Sequence, residues 1–219
     1  MNARTRIKIC GLTREADVDA AVQAGADAIG FVMYAASPRQ VSAARARELA
    51  LRLPPFVTPV GLFVNASPME LAAALDAVPH LVPQFHGDET PTDCGQAGRP
   101  YLRAARMAAG FDLLDFAIRF SDAQAILLDA HVDGYGGGGE VFDWSVIPHG
   151  VPLPLVLSGG LHAKNVIRGI LQVRPWAVDV SSGVESAKGI KDAQAIRRFC
   201  AAVREADARR ADDPAAPAT

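Results

Sequence analysis

Arg6-Ile7-Lys8-Ile9-Cys10-Gly11 alternates polar and apolar side chains and then stops at a glycine. A period of two marks a strand, whose successive side chains leave opposite faces. Ile7 and Ile9 therefore share one face, and Lys8 and Cys10 the other. Near the far end of the chain, Trp176-Ala177-Val178-Asp179-Val180-Ser181 repeats the pattern, with Val178 and Val180 on one face and Asp179 and Ser181 on the other. An inward-facing lysine is costly unless it meets an opposite charge. Asp179 supplies that charge if the first and last strands are neighbours, which happens when a parallel sheet closes on itself.

The segments between these runs fit that closure. Candidate strands are Arg6–Cys10, Asp27–Met33, Val57–Val64, Leu81–Phe85, Pro100–Ala104, Ala125–Leu128, Pro154–Leu157 and Trp176–Val180. Amphipathic stretches at Arg14–Ala24, Ala43–Leu53, Pro68–Val78, Ala163–Val173 and Asp192–Glu205 alternate with them, and weaker ones lie near Thr92–Ala97, Phe111–Phe120 and Phe142–Ile147. Gly25 is placed to end the first helix, and Ser67-Pro68 to open the third. Parallel strands need helical crossovers, and eight such units predict an α/β chain folded as a single (β/α)₈ barrel rather than an open doubly wound sheet. The barrel is expected over residues 1–206. Asp207–Thr219, rich in Ala, Arg and Asp, lacks apolar periodicity and reads as a frayed or disordered tail.

Composition narrows the function classes. A net charge of −2 argues against nucleic acid or an anionic membrane as partner. No signal peptide precedes the first strand, and no apolar run approaches the ~20 residues of a membrane span. The three cysteines, Cys10, Cys94 and Cys200, are an odd number in separate contexts, which suits a reducing cytoplasm better than a disulfide framework. The five histidines show no metal-ligand spacing with one another or with cysteine.

Two residues at strand tips carry the candidate chemistry. Cys10 ends the first strand, with the Lys8 cation roughly 7 Å below it; a nearby positive charge favours the thiolate, the form that can act as a base. Asp129 follows Ala125-Ile126-Leu127-Leu128 and shares the inward face with Leu127. A carboxyl group in a partly apolar mouth has a raised pKa and can act as a general acid. For an arbitrary cysteine a small buried hydrophobe is the default reading, and it is kept for Cys94 and Cys200.

Ser158-Gly159-Gly160 and Ser181-Ser182-Gly183 follow the last two strands. Together they match the common phosphate site of a barrel, where glycine backbones let N–H groups approach an anion. Gly134, Gly136 and Gly139 formally fit a dinucleotide pattern, but no long helix follows, and a mobile loop over the ligand is the better reading. Arg39, in Ser37-Pro38-Arg39, is placed to grip a carboxylate, and His86 ends the fourth strand either as a pocket residue or as a structural hydrogen-bonding group.

These landmarks, in this order, resemble the phosphoribosylanthranilate isomerases of tryptophan biosynthesis. The matching stretches include Lys8-Ile9-Cys10-Gly11-Leu12-Thr13, Ser37-Pro38-Arg39, Phe85-His86-Gly87-Asp88-Glu89, Leu127-Leu128-Asp129, Leu157-Ser158-Gly159-Gly160-Leu161 and Val178-Asp179-Val180-Ser181-Ser182-Gly183-Val184-Glu185-Ser186. The resemblance implies a cofactor-free and metal-free Amadori rearrangement of a phosphoribosyl amine. It implies Cys10 as the base at sugar C2, Asp129 as the acid at the ring oxygen, and Arg39 on the anthranilate carboxylate. Phosphate would sit on Gly159, Gly160, Ser182 and Gly183, with Asp179 and His86 also at the substrate site. Gly138 stands where the family often has threonine or serine. Three rival readings are weighed: the related histidine-pathway isomerase, which uses carboxylates in both catalytic roles; a bifunctional enzyme, which would keep an aspartate base; and a non-catalytic phospho-ligand barrel, which would not need Cys10 opposite Asp129. Monomer and homodimer both remain open.

Overall fold

The first and last strands meet as their alternation requires, with Lys8 in register against Asp179 and Ile7 against Val178. The computed structural model describes residues 4–130 and 141–211. The expected glycine loop, Gly134 to Gly139, lies outside those residues, as does 212–219. Strands β1 (Arg6–Cys10), β2 (Ala28–Val32), β3 (Thr58–Phe63), β4 (Val82–Phe85), β5 (Leu102–Met107), β6 (Ala125–Ala130), β7 (Leu155–Leu157) and β8 (Ala177–Val180) form a closed barrel in sequence order. All neighbouring pairs in it are parallel.

Helices α1 (Glu15–Gln23), α2 (Ala43–Ala50), α3 (Pro68–Ala77), α4 (Pro91–Gly95), α5 (Leu113–Arg119), α6 (Val166–Val173) and α7 (Ala193–Ala211) connect and cover the strands. The local reasons are those the sequence offers. Ser67 caps α3 in a reciprocal box with Glu70, and Pro68 takes the first turn. Gly25 follows α1 at φ +85°, a backbone position that suits glycine.

Three expectations are corrected. The stretch Phe142–Ile147 holds only one 3₁₀ turn, Trp144–Val146, because Asp143 caps it at Ser145 and Pro148 follows within two residues. The fifth strand begins later and runs further than Pro100–Ala104, since Arg103 and Arg106 both lie within it. Fraying from Asp207 is also overturned as far as Ala211. Helix α7 continues because the Asp207 carboxylate accepts hydrogen bonds from the Thr5 backbone N–H (2.8 Å) and hydroxyl (2.7 Å). A short antiparallel hairpin, β9 (Glu185–Ala187) with β10 (Ile190–Lys191), was not foreseen.

Two hydrophobic layers follow from strand alternation. Ile7, Ile9, Ile126, Leu128, Val178 and Val180 join the helices in the outer core. Ala104, Ala125, Leu127, Val156 and Ala177 form a small separate cluster inside the barrel. Above it lie polar groups: Lys8 and Asp179 are both buried, their ammonium and carboxylate 2.9 Å apart. The expected ion pair is present.

Candidate active site

Parallel strands put every β-to-α turn at one mouth of the barrel, so Cys10 at the tip of β1 and Asp129 near the tip of β6 share that mouth. Around the ring, β7 and β8 lie between β6 and β1, and their two glycine turns come between Asp129 and Cys10.

Cys10 is buried opposite Gly30 on β2. A Cβ at Gly30 would lie 2.7 Å from the Cys10 sulfur, so any side chain there would displace it. Burial pushes the thiol pKa up; Lys8 opposes this, but Asp179 adds to it, and the result stays above the ordinary value. Lys8 favours the thiolate as expected, but burial outweighs it, with Asp179 adding to the same side. Burial would lower the Lys8 pKa, yet Asp179 and Cys10 beside it hold it above the usual lysine value.

Asp129 is partly buried, and its two oxygens have different neighbours. Oδ1 accepts from the Ala130 N–H at 3.0 Å, and Oδ2 lies 3.0 Å from His86 Nε2. On the other side of the ring, His86 Nδ1 lies 3.1 Å from the Gln84 amide nitrogen. The sequence placed His86 at the pocket but missed Gln84. Alternation could have found it, since residues two apart on a strand share a face.

Both phosphate-like turns stand where the sequence put them. Gly159 and Gly160 adopt φ of +75° and +61°. Asn165, which the sequence reading missed, braces the first turn: its side chain donates to the Gly160 carbonyl (2.9 Å) and accepts from the His162 N–H (2.8 Å). After β8, Ser182–Val184 make a single 3₁₀ turn. The two turns pack directly on each other. A Cβ at Gly183 would come within 1.9 Å of the Leu161 carbonyl oxygen. Gly183→Ala is accordingly expected to lower stability by about 1–3 kcal/mol and to raise KM for a phosphorylated substrate. Urea unfolding with steady-state kinetics checks this; a fully stable variant with unchanged KM would show that the turns do not need this contact.

Arg39 is less available than its loop position suggested. Its Nε and Nη2 form a fork with the Glu185 carboxylate at 2.7 and 2.8 Å, so a ligand carboxylate would have to use the Nη1 edge. Lys191, wholly buried, also donates to Glu185 (2.8 Å) and to the Ser181 carbonyl (3.0 Å). Burial would raise the Glu185 pKa, but Arg39 and Lys191 hold it below the usual carboxylate value. Burial lowers the Lys191 pKa, only partly offset by Glu185. Glu185 and Lys191 are thus site-bracing residues to which the sequence had given no role.

Cys94 and Cys200 are buried away from this mouth, their pKa values pushed by burial to about 12 and about 11. A cleft of about 510 Å³ between the turn after β4 and α5 is lined by Arg103 and Phe116, and it includes neither Cys10 nor Asp129. Among the described residues, no helix is long and apolar enough to cross a membrane, and no group of three or more His, Cys, Asp or Glu could hold a metal ion.

Comparison with known proteins agrees with this geometry. The family described as N-(5'phosphoribosyl)anthranilate (PRA) isomerase matches residues 7–202. An N-(5'-phosphoribosyl)anthranilate isomerase of Methylibium petroleiphilum is 77% identical over 206 residues, covering 94% of this chain and 97% of the relative. Among solved structures, the phosphoribosyl anthranilate isomerase of Thermotoga maritima superposes with a TM-score of 0.85 at 40% identity, covering 92% of this chain and 99% of its own. Another, solved with reduced 1-(o-carboxyphenylamino)-1-deoxyribulose 5-phosphate, gives 0.80 at 38% identity and the same coverage.

Proposed function

Because the chain belongs to the N-(5'-phosphoribosyl)anthranilate isomerase family and catalyses its Amadori rearrangement in tryptophan biosynthesis, we propose how its own residues divide that reaction. Asp129 gives a proton to the furanose ring oxygen of N-(5-phosphoribosyl)anthranilate. The C1–O bond breaks as the nitrogen lone pair forms a Schiff base. Cys10, as thiolate, then takes the proton from C2, and the electron pair left behind neutralises the iminium to give an enolamine. Proton gain at C1 and loss from the C2 hydroxyl yield 1-(2-carboxyphenylamino)-1-deoxyribulose 5-phosphate. C2 is oxidised as C1 is reduced within the one molecule, so acid and base suffice and no cofactor is required.

The observation that carries this reading is the order of strand tips around the mouth: acid on β6, glycine turns after β7 and β8, base on β1. A phosphate on Gly159, Gly160, Ser182 and Gly183 would hold the sugar between Asp129 and Cys10. Arg39, through its remaining edge, would meet the anthranilate carboxylate, and His86 would orient Asp129. Asp179 is better read as the partner of Lys8 beneath the substrate than as a direct ligand, since it is buried against that lysine. The net charge of −2 fits a cytoplasmic enzyme acting on a small molecule, without nucleic acid or membrane, as a monomer or homodimer. The Thermotoga maritima enzyme is described as dimeric.

Asp129→Asn tests the acid role. It is expected to reduce kcat by about 10²–10⁴-fold while leaving affinity for the reduced product analogue nearly unchanged. Loss of anthranilate fluorescence follows the reaction. Normal turnover by this variant would remove Asp129 from the mechanism.

A further inference from the structure

The Glu185 carboxylate is held from three segments at once. Oε1 accepts from Arg39 Nε (2.7 Å), Lys191 Nζ (2.8 Å) and the Gly189 N–H (3.3 Å), while Oε2 accepts from Arg39 Nη2 (2.8 Å). The Glu185 side chain is only 6% exposed, and that of Lys191 not at all. The hairpin that carries both is itself tied down, since Thr13, in the loop after β1, donates to the Gly189 carbonyl (2.8 Å). The carboxylate therefore has one orientation, and so does the guanidinium it grips.

The Arg39 stem lies across Gly11, the residue after Cys10; a Cβ there would meet Arg39 Cδ at 2.6 Å. The guanidinium is thus fixed at the mouth with its Nε–Nη2 edge taken, and Nη1 donates to no described residue. The end edge, Nη1 with the second N–H of Nη2, is left for a planar carboxylate, which a guanidinium grips with two parallel bonds. A free arginine loses rotamer freedom when it takes a ligand, and one already fixed does not. Holding a cation by a carboxylate has a drawback, because Glu185 repels the second carboxylate the clamp would hold. Lys191 counters it. Its ammonium offsets most of that repulsion, and the ionised trio of Arg39, Glu185 and Lys191 keeps one positive charge in excess.

We propose that Glu185, with its charge offset by Lys191, is a positioning residue that fixes Arg39 as a clamp for the carboxylate of the aromatic amine, and so sets the preference for a carboxylated substrate. The inference rests on the reading of Arg39 as the group that meets the anthranilate carboxylate. Neither Glu185 nor Lys191 touches the substrate or moves a proton in it.

The test compares N-(5-phosphoribosyl)anthranilate with N-(5-phosphoribosyl)aniline, the same compound without its carboxylate, with product followed by chromatography. In Glu185→Gln the ratio of their kcat/KM values should fall about tenfold, mostly through KM of the carboxylated compound. Lys191→Met keeps the fork but leaves the repulsion from Glu185 unopposed, so it should lower the same ratio. A purely structural role for the hairpin would slow both compounds alike, and a wild-type ratio in either folded variant overturns the proposal. A further measurement needs no substitution. In ¹⁵N-arginine spectra of the wild-type chain, the Arg39 Nε–H should exchange slowly in the free protein and also with reduced 1-(o-carboxyphenylamino)-1-deoxyribulose 5-phosphate bound. Fast exchange in the free protein shows an unfixed guanidinium and overturns the proposal too. Arg39→Met separates the two readings. If it keeps the wild-type ratio, the role of Arg39 has failed; if it abolishes the preference while Glu185→Gln and Lys191→Met retain it, only the positioning role fails.

Discussion

Replacing Cys10 by serine is expected to lower kcat by about 10²–10⁴-fold or more, with the reduced product analogue still bound. The hydroxyl occupies nearly the same space, so the opposing Gly30 backbone is undisturbed. What disappears is a group able to ionise near neutrality, since a serine hydroxyl does not form a useful base there. The pH profile carries a second signature. Burial raises the Cys10 pKa above the ordinary thiol value despite Lys8, and a base works only when deprotonated. The kcat/KM of the free enzyme should therefore climb with pH through neutrality and into the ordinary thiol range. A profile already flat below neutrality, or a serine variant with wild-type kcat, would rule out the sulfur as the base.

Lys8→Met should produce the largest loss of stability. It leaves Asp179 buried against an apolar chain in place of an ammonium 2.9 Å away. Breaking one side of a buried pair costs about 3–5 kcal/mol, whereas replacing both sides with apolar groups is often neutral. The Lys8→Met, Asp179→Leu double variant should consequently recover most of that loss. Lys8→Met should also move the rising limb of kcat/KM to higher pH, because the charge that most opposes burial of the thiol is gone while Asp179 remains. Denaturant melts of the wild type, both single variants and the double variant form a complete cycle. Equal stability of wild type and Lys8→Met would show that the pair contributes nothing to folding.

The architecture was readable because the first and last strands carry complementary inward charges on clean alternation, and the core layers follow that alternation residue by residue. The fifth strand was harder. Arg103 is outward-facing yet buried, because its guanidinium lies over Phe120 and donates to the Phe85 and Gly87 carbonyls, so polarity there does not report exposure. The single turn at Trp144–Val146 was over-read as a helix because apolar residues cluster there without length enough for one. In the candidate site, the placement at strand ends of Cys10, Asp129 and the two glycine turns was legible from position alone. The supporting contacts were not. That Arg39 is already occupied depends on Glu185 and Lys191 folding back as a hairpin, a contact between segments far apart in sequence that no local pattern encodes. Asn165 escaped notice for a similar reason, since its value lies in spanning a loop whose shape the backbone alone decides.

The seam between β1 and β8 has a consequence for how the protein is made. During synthesis Lys8 leaves the ribosome 171 residues (179 − 8) ahead of Asp179, so for that interval the ammonium has no such counter-charge beside it. The nascent sheet meanwhile carries two open edges, each able to pair with another chain. Only when β8 emerges can the cylinder shut, so closure must wait for the strand that carries Asp179.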